Sequence, residues 1–70
     1  RDPKSQLQEI IQEKFKVTPI YKVLEESGPD HQKKFLVGVY FKSELAGKGT
    51  GASKQEAESR AALDALDGLK

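Results

Sequence analysis

The chain has 70 residues, with 12 Lys plus Arg against 11 Asp plus Glu, no Cys and one His. A domain of this size buries only about 60% of the surface its unfolded chain exposes, which leaves no room for a large enzyme core. Without cysteines there is no disulfide framework or thiolate metal site, a single histidine argues against a histidine-based metal centre, and a net charge of +1 requires any polyanion affinity to come from charge placement.

Asp2-Pro3 starts the first predicted helix, because Asp caps free N–H groups and Pro fits the first turn. That helix is expected from about Pro3 to Lys16. Leu7, Ile10, Ile11 and Phe15 recur at helical spacing as its buried stripe, and Ser5, Gln8, Glu9 and Gln12 fall on the opposite face, which is polar but hardly charged. Thr18-Pro19 closes the helical region. Ile20 to about Glu26 reads as a strand, and Ser27-Gly-Pro-Asp-His31 is a turn signal.

From Lys33 to Phe41 the pattern is strongly β, with Phe35, Val37, Val39 and Phe41 on one face and Leu36, Gly38 and Tyr40 on the other. Two apolar faces predict a central strand. After a short Lys42-Ser43 connection, a third strand is expected from Glu44 to about Lys48. The second helix is expected from Lys54 to Leu69, with Ala57, Ala61, Ala65, Leu66 and Leu69 facing inward and Leu63 partly exposed. The fold class is therefore α+β: α-β-β-β-α, a three-stranded antiparallel sheet with both helices packed on one face.

The segment from Gly47 to Ser53 reads as a glycine-rich basic loop running into that second helix. Three glycines in five residues permit close approach to a ligand, and Ser53 with Glu56 has capping-box spacing. The helix N-terminus with Lys48 and Lys54 is then expected to form one phosphate-binding place. A nucleotide P-loop does not fit, because Lys48 is followed by Gly49, not by Ser or Thr, and the dinucleotide fingerprint lacks its spacing and its parallel βαβ unit.

Catalysis by the chain itself is not expected. The carboxylates of Glu9, Glu13, Glu25, Glu26, Glu56, Glu58, Asp64 and Asp67 are spread over separate elements, whereas a metal-dependent nuclease needs them convergent. His31 sits in a Gly-Pro turn with no apolar surroundings to shape a catalytic site. Three polar places remain: the glycine segment, the Ser5-Gln8-Glu9-Gln12 face and the Gly28–His31 turn. An RNA duplex presents matching surfaces, a minor groove lined by 2′-hydroxyls on either side of a narrow major groove bordered by phosphates.

Pro19-x-Tyr21, Gly28-Pro29-x-His31, Phe35, and Gly47-x-Gly49-x-Gly51-x-Ser53-Lys54 leading to Ala57 and Ala61-Ala62 closely resemble the double-stranded-RNA-binding domain. The resemblance covers residues 1–70 in order, and the opening Asp2–Glu9 is most similar to the domain that follows the nuclease domain in bacterial ribonuclease III. It implies that Ser5, Gln8 and Glu9 contact one minor groove, that the loop with Pro29 and His31 enters the next, and that Lys54 and Gln55 face the phosphates between. Lys48 and Ser53 complete the expected RNA-binding set.

Strong binders of the family carry three basic residues where this chain has Lys54, Gln55 and Glu58, which implies a weaker grip, with Lys33, Lys34 and Lys48 available to compensate. The expected function is sequence-independent binding of double-stranded RNA, presented to the Mg²⁺-dependent nuclease domain of a homodimeric ribonuclease III. This domain itself is expected to be monomeric, with no catalytic residue, metal or cofactor of its own. A start without Met reads as a fragment of a longer protein, and the lack of a leader or spanning segment reads as cytoplasmic with no membrane partner. The alternative is a protein-interaction or dimerisation module of the same fold, which would display exposed apolar residues.

Overall fold

The computed structural model of the chain describes residues 2–70; Arg1 lies outside them. Its elements run α1 (Pro3–Phe15), β1 (Ile20–Ser27), β2 (Lys34–Phe41), β3 (Glu44–Gly51) and α2 (Lys54–Gly68). The sheet is antiparallel throughout, in the order β1-β2-β3.

Local chemistry sets the helix ends. The Asp2 carboxylate accepts the Ser5 N–H at 2.7 Å, which caps α1 and holds this carboxyl below its ordinary pKa. Lys16 stops α1 one residue earlier than expected by entering the left-handed region at φ 60°, with its N–H donating to Gln12 O. At α2 the Ser53 hydroxyl accepts the Glu56 N–H at 3.1 Å. Glu56 reaches back to the Ala52 N–H at 2.6 Å, a capping box displaced by one residue. Lys42 and Ser43 both have positive φ, the backbone of a tight two-residue hairpin between β2 and β3.

The core is one layer between the sheet and the helices. Leu7, Ile11, Val37, Val39, Ala57, Ala61 and Ala62 are fully buried, and Ala65 nearly so. Phe15 stacks on Phe41 with centroids 5.4 Å apart, closing the far end of α1 onto the sheet face that α2 covers. Ala62, part of the family pattern though off the stripe read from spacing, is core as well; α2 packs against both the sheet and α1, so its buried face is wider than one seam. Ile10, Leu66 and Leu69 are only half-buried, and Leu63 is exposed as expected.

β3 corrects the reading of the glycine segment. The strand does not end at Lys48 but continues to Gly51, so Gly47, Gly49 and Gly51 are ladder residues opposite Val39, Val37 and Phe35. Their φ values are not in the left-handed region; Gly28, at φ +88°, is the described glycine that is. Contact with α2 is what requires them to be glycine. A β-carbon on Gly47 would fall 2.6 Å from Ala65 N, one on Gly49 2.6 Å from Ala57 O, and one on Gly51 2.7 Å from Ala57 N.

The spacings match: two residues along a strand advance about 6.6 Å, and four along a helix about 6.0 Å. The glycines thus meet Ala57, Ala61 and Ala65 in register, backbone against backbone. Side chains of α2 then cover the outer edge of β3, where Asp64 accepts the Lys48 N–H at 2.9 Å and Arg60 donates to Thr50 O at 3.0 Å.

Candidate nucleic-acid interface

Alternation along β3 decides the place of Lys48. With Gly47, Gly49 and Gly51 turned to α2, Lys48 points to the opposite, helix-free face, beside its β2 partner Gly38. The expectation that Lys48 and Lys54 share one phosphate site at the α2 N-terminus is therefore corrected. Lys54, the first residue of α2, stays at that terminus, its ammonium 5.9 Å from the centre of the Phe35 ring. In a helix capped at Ser53, the N–H groups of Lys54 and Gln55 have no intrahelical partner. Positive dipole, two N–H groups and one ammonium converge there.

Two depressions meet at this helix start. One, of about 490 Å³, is lined by residues 30–33 of the β1–β2 turn, Phe35, and residues 52–55, so it joins His31 to Ser53, Lys54 and Gln55. The turn is held by Gln32 N–H donating to Pro29 O at 2.9 Å, which leaves Pro29 and His31 exposed. The other depression, of about 420 Å³, is lined by Asp2, Lys4, Ser5, Gln8, Gln55 and Ser59. Gln55 belongs to both. The structure thus brings Ser5, Gln8, Gln55, Ser53, Lys54 and His31 into one strip along the helix side of the molecule. Glu9 is exposed beside Gln8 on α1.

The charge in the strip is modest. Lys33 lines the first depression but lies 3.1 Å from the Glu26 carboxylate. Lys34 is exposed at the start of β2, beside Glu25 and Thr50 on the helix-free side. Glu58 pairs with Lys4 of α1 at 2.5 Å, and Lys4 Nζ lies 4.9 Å from the Tyr21 ring centre. Sequence reasoning did not single out Lys4 or Ser59. Ser59 stands one helical turn after Gln55, a spacing that could have flagged it, whereas the partner of Lys4 is 54 positions away.

The model for the double-stranded RNA binding motif matches residues 3–69. The chain belongs to the double-stranded-RNA-binding-motif family. Among curated relatives, this member of the family is 49% identical over 70 residues to a ribonuclease 3 from Desulforamulus reducens, covering 100% of this chain and 28% of that protein. It is 47% identical over 70 residues to a ribonuclease 3 from Borreliella burgdorferi, covering 100% of this chain and 29% of the relative. The domain thus spans little more than a quarter of the length of these relatives.

Among solved structures, Arabidopsis HYL1, described in connection with miRNA processing, superimposes with a TM-score of 0.82 at 33% identity, covering 96% of this chain and 94% of that one. Dicer from Pichia stipitis matches with a TM-score of 0.77 at 34% identity, over 93% of this chain and 31% of its own. No helix among the described residues is long and apolar enough to cross a membrane. Among those residues, no three His, Asp or Glu side chains gather as a metal-ligand group.

Proposed function

We propose that this domain binds double-stranded RNA by shape, independently of sequence, and presents the duplex to the nuclease domain of a cytoplasmic, homodimeric ribonuclease III. The observation that carries the reading is the continuity of the strip. Through Gln55, the hydrogen-bonding face of α1 runs into the cationic start of α2 and on to the His31 turn. This order of hydroxyl-seeking, phosphate-seeking and protruding polar groups follows the minor groove, major-groove phosphates and next minor groove of an A-form helix.

On this reading Ser5, Gln8 and Glu9 take 2′-hydroxyls, Ser53, Lys54 and Gln55 take phosphate, and Pro29 with His31 enters the second groove. Lys54 is exposed and its removal leaves the core untouched. Lys54→Ala should weaken duplex RNA binding roughly tenfold and reduce the slope of log affinity against log salt by roughly 0.9. Unchanged affinity with an intact fold would refute the assignment.

One observation favours a second reading, a protein contact. The helix-free sheet face carries Ile20 at 59%, Leu24 at 42% and Leu45 at 48% exposure, around half-buried Leu36 and Tyr40. That face is turned away from the strip, so a protein could occupy it while RNA is bound. The Lys54→Ala variant separates the two functions, because a contact through the sheet face should not respond to it.

A further inference from the structure

The two depressions of the strip differ in charge. Around the α2 N-terminus, Lys54 and the helix dipole favour an anion. The depression beside α1 has one cation among its described lining residues, Lys4, and the Glu58 carboxylate already lies 2.5 Å from that ammonium. Asp2 adds a second carboxylate at the rim, engaged by the Ser5 N–H. One ammonium therefore faces two carboxylates. The remaining lining groups, Ser5, Gln8, Gln55 and Ser59, are neutral donors and acceptors.

The Tyr21 hydroxyl lies within electrostatic reach of both carboxylates. Burial, supplemented by Glu58 and Asp2, pushes its pKa up to about 12. Lys4 is also held in place, its Nζ 4.9 Å from the Tyr21 ring centre while its side chain is 40% exposed against 24% for Glu58.

A free lysine in this depression would attract the phosphates of any nucleic acid. It would favour DNA more, because an RNA duplex seated by its 2′-hydroxyls presents its minor groove there and brings fewer phosphates to the ammonium. The 2′-hydroxyl is the group that differs. We propose that the Lys4–Glu58 ion pair is a selectivity device: by neutralising Lys4, it makes the α1 end of the strip a reader of ribose hydroxyls that gains nothing from phosphate alone. A DNA duplex is then held by the phosphate-binding end only. Specificity arises from withholding an attraction that the wrong ligand could use more fully than the right one. The inference rests on the RNA-binding reading above and adds a role to Glu58, which acts through Lys4.

The test compares duplex RNA and duplex DNA of one sequence, titrated against the wild-type chain and three variants whose folding is checked by thermal melting. Glu58→Gln preserves shape and frees the ammonium. It should raise DNA-duplex affinity roughly fivefold and RNA-duplex affinity less, lowering the RNA-to-DNA ratio. The salt slope for DNA should steepen by roughly 0.9. Lys4→Gln leaves the Glu58 charge unpaired; the carboxylate repels the phosphates of either duplex but accepts hydrogen bonds from the 2′-hydroxyls of RNA alone, so the ratio should rise.

The Lys4→Gln, Glu58→Gln double variant should return close to the wild-type ratio. A ratio unmoved in Glu58→Gln, a parallel loss of both duplexes, or raised DNA binding that persists in the double variant would each overturn the proposal. Should Glu58→Gln fail to fold, a ratio that does not rise in Lys4→Gln overturns it equally. A wild-type chain that binds no RNA duplex would overturn the underlying reading as well; one that prefers RNA while its variants keep the same ratio overturns this inference alone.

Discussion

Gly49→Ala distinguishes a packing glycine from an anion-binding one. The backbone at Gly49 is open to any L-residue, so the cost is one of space. The added methyl would lie 2.6 Å from both Ala57 O and the Arg60 carbonyl carbon, and closer still to Ala61 N. These are backbone atoms of α2 and no rotamer change relieves them. Restoring contact distances near 3.5 Å requires α2 to retreat by about 1 Å.

Such a retreat also loosens Ala57 and Ala61 from Val37 and Val39, all fully buried. Overpacking against fixed backbone falls at the upper end of its usual range, about 3 kcal/mol. A domain of this size has roughly 3.5–10 kcal/mol in total. The melting temperature should fall by roughly 12–24 °C. Thermal or urea unfolding measures the loss, and duplex RNA binding measured well below the transition should stay close to wild type. An unchanged melting temperature with lost RNA binding would refute the packing account and restore the glycines as a phosphate cradle.

Gly28→Ala places a side chain at φ +88°, where its β-carbon would strike Gln32 O. It should cost about 1–2 kcal/mol from backbone strain alone, seen in urea unfolding, and should weaken RNA binding by displacing the Pro29–His31 turn. Tyr21→Phe removes a buried hydroxyl that has no hydrogen-bond partner among the described residues and should stabilise the domain by about 1 kcal/mol at neutral pH. The Tyr21 pKa is raised from 10.0 to about 12 in the folded state, so the folded form holds this proton more tightly than the unfolded chain does. Stability of the wild type relative to Tyr21→Phe should therefore be level below pH 10 and fall as pH rises from 10 to about 12. Stability curves of the two proteins across that range provide the measurement.

Much of this fold is legible one element at a time. Asp2-Pro3 and Ser53 with Glu56 announce helix starts through their own side chains, and the double apolar alternation of β2 places it in the centre of the sheet. The glycine segment misled because three glycines beside lysines resemble a flexible anion loop. The same residues, at positions 47, 49 and 51, carry strand periodicity, and Ala57, Ala61 and Ala65 carry the matching helical one. Only the two patterns together reveal a backbone-to-backbone seam. That seam also moved Lys48 to the far face.

The polar residues singled out in α1, the Gly-Pro turn and the start of α2 do come together, because each stands at an exposed end or face of its own element. Lys4 with Glu58, and the joining role of Gln55, depend on how α1 crosses α2. Neither local propensity nor periodicity encodes that crossing.

The central claim is that the strip reads the shape and hydroxyls of an RNA duplex. Competition of double-stranded RNA, double-stranded DNA and single-stranded RNA of matched length and sequence for this domain, at one salt concentration, tests it most directly. The account predicts that the RNA duplex displaces the other two and that changing its sequence matters little. Equal competition by the DNA duplex, or stronger binding of the single strand, would contradict it.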